Sequence, residues 1–140
     1  MDGSFTNLVM NNILRLYYNG SGITPPATLY FGLSTNYLTK ASLGTSPQEP
    51  NDVFYKRVAM TPNTTDFTFP ANGVLSNNVS ITWPTPRKDW GTIKSVFVAD
   101  ASGIAGGNMI NFYNLTASKV VSSGDTPLTF PSGSFNIIFS

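Results

Sequence analysis

The chain of 140 residues contains no cysteine and no histidine. Without cysteine there can be no disulfide, no zinc–thiolate site and no thiol nucleophile. Without histidine, acid–base work near neutral pH lacks its usual side chain. Charge is scarce too. Asp, Glu, Lys and Arg make up 11% of the residues, against about 25% in ordinary soluble domains. The formal net charge is +1, and the basic residues are scattered from Arg15 to Lys119. A nucleic acid or an anionic membrane would need them clustered, so neither is an expected partner. No apolar run approaches the length of a membrane span. The opening Met1-Asp2-Gly3-Ser4 is acidic, unlike the basic start of a secretory signal. No spacing resembles a calcium loop, a phosphate-binding loop or a nucleophile elbow, so neither cofactor nor metal is expected.

What the chain does have is apolar and hydrogen-bonding material. Hydrophobic residues make up 41% and aromatics 13%, enough to offset the ordering entropy of one folded domain. Asn, Ser and Thr carry most of the polarity, which suits turns and close subunit contacts because few charges must be desolvated. Residues 4–18 form the one convincing helix. Phe5, Leu8, Val9, Asn12, Ile13, Leu16 and Tyr17 fall at the three-four spacing of a single face. Ser4 or Thr6 can supply the N-cap oxygen, and Asn19-Gly20 a left-handed stop. That stripe either packs on its own domain or docks on a neighbouring chain. The Gly20-Ser21-Gly22 exit gives it freedom to reach outward. Residues 1–22 are therefore read as a helix and linker forming a candidate docking arm, and residues 23–140 as the main domain.

After Pro25-Pro26 the helical period does not return. Strand-like runs occupy residues 28–34, 53–60, 78–83, 90–100, 108–115, 119–121, 126–130 and 134–139, separated by Gly, Pro and Asn turns. Short strands at this spacing predict an all-β chain: a single β-sandwich, jelly-roll-like, with one short N-terminal α-helix. Residues 35–52 read as a long polar loop and, with Tyr37 and Leu38, as a second candidate contact arm.

Little in the sequence points to catalysis. A glycan hydrolase needs two carboxylates flanking one bond. Glu49 and Asp52 are close in sequence, but they are read as solvated loop carboxylates. Asp100 and Asp125 lie beside turns, where Asp bonds local backbone. The chain is expected not to be an enzyme. Trp83 reads as core and Trp90 as the start of a strand, although an exposed aromatic such as Trp90, Tyr37 or Tyr55 is also a candidate platform for sugar stacking.

The order of segments resembles that of a group of small tailed-phage virion proteins labelled as tail-fibre or capsid decoration proteins. Leu29-Tyr30-Phe31-Gly32-Leu33-Ser34-Thr35 is similar to their Leu-Tyr-Val-Gly-Leu-Ser-Thr segment. Tyr55-Lys56-Arg57-Val58-Ala59, the strand from Asn77 to Pro84, Trp90-Gly91-Thr92-Ile93 and the ending around Ser123-Gly124-Asp125-Thr126 follow in the same order. The resemblance implies a virion β-sandwich that forms a homotrimer and carries no catalytic residues. It also implies a capsid cement protein on the outer capsid surface, binding the major capsid protein and bridging its subunits to stabilise the head. The alternative is a tail-fibre or baseplate part, structural or receptor-binding through a glycan. The residues assigned to partner contact are Phe5, Leu8, Val9, Asn12, Ile13, Leu16, Tyr17, Tyr37 and Leu38.

Overall fold

Two long neighbouring strands carry the architecture, and a computed structural model describes residues 2–139 around them. In chain order the elements are β1 (Asp2–Phe5), α1 (Asn7–Tyr18), β2 (Leu29–Ser34), β3 (Val58–Met60), β4 (Val74–Ser76), β5 (Ile81–Thr82), β6 (Gly91–Ala99), β7 (Met109–Val121), β8 (Thr129–Phe130) and β9 (Asn136–Ile138). A curled seven-stranded sheet runs β3-β2-β6-β7-β1-β9-β4, and β5-β8 form a small second sheet. The expected all-β, sandwich-like domain with one short helix is therefore the fold found. All strand pairs are antiparallel except β1 with β9.

β6 reads as a continuous apolar run because both of its faces are covered. Val96 and Val98 face the main core with Phe31, Leu33, Ile81, Trp83, Tyr113 and Phe135. Phe97 and Ala99 face a second cluster with Leu38, Met109 and Phe112. Aromatic contacts tie the small sheet to the large one. The Phe135 ring lies 4.8 Å from Tyr113, 5.0 Å from Phe130 and 5.5 Å from Phe31. Gly32 passes directly under Phe97, where a Cβ would come within 2.2 Å of the ring.

The elements differ from the sequence reading where pairing overrides local pattern. The polar stretch Thr116–Lys119 does not divide the strand after Asn108; residues 109–121 form one strand along β6. An irregularity in the β6–β7 register absorbs the extra residues between Asn114 and Lys119. The run expected at 53–60 is a strand only over Val58–Met60, because Asp52 holds Phe54 and Tyr55 in a turn.

The helix starts later than the pattern indicates. Ser4 and Phe5 pair with Phe112 and Asn111 of β7, so they belong to a strand. Thr6 occupies the N-cap position but makes no side-chain cap. Its hydroxyl instead donates to the Met109 carbonyl at 2.7 Å, and the residue is fully buried. At the other end Gly20 takes the left-handed conformation, and the Asn19 N–H donates to the Arg15 carbonyl. Residues 2–5 of the segment first read as an arm thus sit inside the large sheet, between β7 and β9.

Candidate interaction surface

Sequence reading put the contact residues on the long loop and on the helix. The structure treats these two segments in opposite ways.

The loop is stapled to the domain. Arg57, 4% exposed, grips Glu49 in a two-pronged ion pair, Nε to Oε1 at 3.0 Å and Nη2 to Oε2 at 2.9 Å. Its remaining nitrogen donates to the carbonyls of Ala101, at 2.7 Å, and Gly106, at 3.1 Å. The guanidinium also lies 4.9 Å from the centre of the Phe97 ring. Glu49 accepts further bonds from the Tyr55 hydroxyl and the Ala105 N–H, each at 2.9 Å. Burial, reinforced by the Glu49 charge, pushes the Tyr55 phenol well above its ordinary pKa.

Asp52 is a second staple. It accepts from the Phe54 N–H, the Trp90 indole N–H and the backbone N–H groups of Arg87 and Lys88. The Phe54 bond lowers its pKa most; burial works against it, and the Trp90, Arg87 and Lys88 donors add to the lowering. The carboxyl is held at about 2. The two acids are therefore structural anchors, contrary to the expectation of solvated loop carboxylates. Trp90 and Tyr55 are 3% and 5% exposed, which removes both as sugar-stacking platforms.

Leu38 is likewise corrected. It is buried against Phe97 and Phe112, and its backbone exchanges two bonds with the Asn114 amide, at 3.0 and 2.9 Å. It has no surface left for a neighbour. Tyr37 beside it is exposed, with the Lys94 ammonium 5.5 Å from its ring centre.

The helix has the opposite character, since no residue of α1 is buried. Val9, Asn12 and Ile13 are half-buried against the body, while Leu8, Leu16 and Tyr17 are exposed. Phe5 belongs to β1, and its ring stands edge-on to Phe139 at 6.0 Å. The exposed apolar residues that the sequence reading did not assign to contact include Leu14 and Tyr18, on the other side of the helix, and Phe139. The available signal was the run Ile13-Leu14-Arg15-Leu16-Tyr17-Tyr18, whose apolar side chains spread over about 200° of the helix and not over one narrow face. Ile13, Leu14, Leu16, Tyr17, Tyr18 and Phe139 line an open hollow of about 870 Å³.

A separate cleft of about 400 Å³ opens between residues 62–70 and the large sheet, lined by Phe5, Leu29, Phe67, Leu75 and Ile110 among others. No ionisable side chain lines it, so it offers shape and dispersion but no acid–base chemistry. Among the described residues no group of three or more acidic residues could hold a metal ion. No helix there is long and apolar enough to cross a membrane.

Over residues 4–138 the chain matches the family described as podophage GP4 fiber I protein gp80. No curated protein matches it.

Proposed function

The chain belongs to the podophage GP4 fiber I protein gp80 family, and from that premise we propose that it is a structural part of the phage tail-fiber apparatus, acting by binding and catalysing no reaction. A phage structural protein is what the family establishes. The fiber role, which the sequence reading placed second to capsid cement, fits the family's description better. The observation that carries it is the match across residues 4–138.

The molecule's chemistry supports a binding role. Its best-placed carboxylates, Glu49 and Asp52, are occupied by Arg57 and by backbone and indole donors. Its exposed residues include Leu14, Leu16, Tyr17, Tyr18 and Phe139, and aromatic residues are enriched in subunit contacts. We take its partners to be other virion proteins, beginning with further copies of itself; the resemblance to small virion proteins implies three. Gold-labelled antibody or electron cryo-microscopy of intact virions tests the assignment. Signal confined to the tail is the expected result. Many copies spread over the head would overturn it in favour of the capsid-cement reading.

A further inference from the structure

We infer that the C-terminal half of α1, with Phe139, is the surface on which a second copy of this chain docks. This deepens the structural reading above by naming one partner and the residues that meet it.

A helix usually presents its own core with an apolar stripe about 100° wide. Over residues 13–18, Ile13, Leu14, Leu16, Tyr17 and Tyr18 surround a single charge, Arg15. At 100° per residue these five side chains spread over about 200° of the helix surface, twice the width of such a stripe, yet within one chain the last four are largely bare. Leu14 is 57% exposed, Leu16 43%, Tyr17 78% and Tyr18 83%. The inner stripe shows how this arises. Val9 and Ile13 rest on the body, whereas Leu16 and Tyr17, next on that stripe, overhang it.

The overhang is held at its root. The Thr6 N–H donates to the Ile110 carbonyl at 3.0 Å and the Asn7 N–H to the Lys40 carbonyl at 2.8 Å. A fixed root with a bare tip is pre-organised for association, because little freedom is left to lose.

The apolar area supplies about three-quarters of one side of a standard subunit contact. Aromatic side chains carry about 150–250 Å² each. Scaled by their exposure, Tyr17, Tyr18 and Phe139 with Leu14 and Leu16 present on the order of 600 Å². Monomeric proteins rarely leave a contiguous apolar patch of more than a few hundred Å² uncovered. One side of a stable interface needs about 800 Å².

The patch also fits itself. Tyr17 and Tyr18 project as knobs, and the hollow between the helix and Phe139 lies on the same surface. Around a threefold axis the knobs of each copy can seat in the hollow of the next, the head-to-tail contact that closes a ring of identical chains. Asn11, Asn12, Asn19 and Arg15 border the other side of the helix with hydrogen-bonding groups, as the polar rim of an interface does.

The test is the mass of the full-length chain in solution, by sedimentation equilibrium across a micromolar concentration series. The wild type should sediment as an integer multiple of 15.1 kDa. The double variant Leu14→Asn, Tyr18→Asn should weaken association by about tenfold or more, with an unchanged β-type circular dichroism spectrum. The two single substitutions are made in parallel, so that loss of folding in the double variant still leaves a reading. A wild type that remains a single chain throughout, or variants that associate as tightly as the wild type, would overturn the inference. The outcomes separate from those of the fiber assignment. A monomeric chain found on the tail removes the self-docking surface alone. An associating chain found on the head removes the fiber role alone.

Discussion

The segment at residues 35–57 has almost no regular structure, yet it is bonded to the domain along its length. Helix α1 is fully regular, yet none of its residues is buried. Regularity and fixation are thus separate properties in this molecule. In the loop, polar groups do what apolar packing does in the strands. Ser34 and Asn36 bond each other and receive the Gln48 N–H, Asn114 clasps Leu38, and Glu49 and Asp52 gather donors from Ala105 and from the 87–90 segment as well as from nearby Phe54, Tyr55 and Arg57. In the helix, the backbone bonds run on to the Asn19 N–H while the side chains from Leu14 to Tyr18 stay exposed. The first is a finished structure. The second has the character of half an interface.

The sharpest way to break the contrast is to remove the Arg57 staple. Arg57→Leu strands the Glu49 carboxylate and leaves the carbonyls of Ala101 and Gly106 without a donor. Breaking one member of a buried pair costs about 3–5 kcal/mol, read as a lower midpoint in urea unfolding. Replacing both members, Glu49→Leu with Arg57→Met, should recover part of that loss, since no charge is then stranded. A cost under about 1 kcal/mol for Arg57→Leu would place the loop in the same class as exposed surface.

A smaller loss is expected at Gly44. A Cβ there would stand 1.9 Å from the Gly107 carbonyl oxygen, a backbone atom that cannot rotate away. Gly44→Ala should destabilise by about 1–3 kcal/mol, the range for forced overpacking, measured by the same unfolding curves. An unchanged midpoint would show that the loop can lift off the turn at Gly106-Gly107.

Asp52 sharpens the contrast through pH. Its folded pKa is depressed, from 3.8 to about 2. A depressed acid pKa means that the unfolded chain binds the proton more readily. The stabilisation is therefore complete above about 3.8 and is lost as pH falls through about 2. The melting temperature of Asp52→Asn should lie below that of the wild type near neutral pH, and the gap should close in strong acid. A gap that stays constant with pH would assign the effect to shape alone.

Much of the fold was legible, and the reasons differ by element. β6 announced itself because burial on both faces leaves an unbroken apolar run from Val96 to Ala99. The helix was legible because its period is local. β1 was not, since Asp-Gly-Ser-Phe has no strand character of its own; pairing with β7 and β9 makes it a strand. The staples were hidden for a similar reason. Asp52 meets Arg87, Lys88 and Trp90 only after long stretches of chain have folded together, so no local pattern marks it. Leu38 looked like the tip of a loop because the Asn114 clasp lies on β7, far along the chain. Exposure of α1 was the least legible feature, because an apolar stripe reads the same whether its own domain or a neighbour covers it.

The smallest expected effect is the most telling. Leu14→Asn alters a side chain that the single chain leaves mostly in water. In dilute solution, where each chain stands alone, its unfolding free energy should differ from that of the wild type by no more than about 0.5 kcal/mol, as for other exposed positions. The two should part as concentration rises. Association that requires the folded chain stabilises it by mass action, so the wild-type melting temperature should climb with concentration. The variant's should climb less, because it lacks part of the contact. Melting curves over a dilution series measure both slopes at once. A loss that is large and the same at every concentration would mean that Leu14 already packs within its own chain, and α1 would then belong with the loop as finished structure. Equal slopes at every concentration would mean that the helix tip is covered by something other than a second copy. A slope in the wild type that the variant lacks would locate the missing half of the interface on an identical chain.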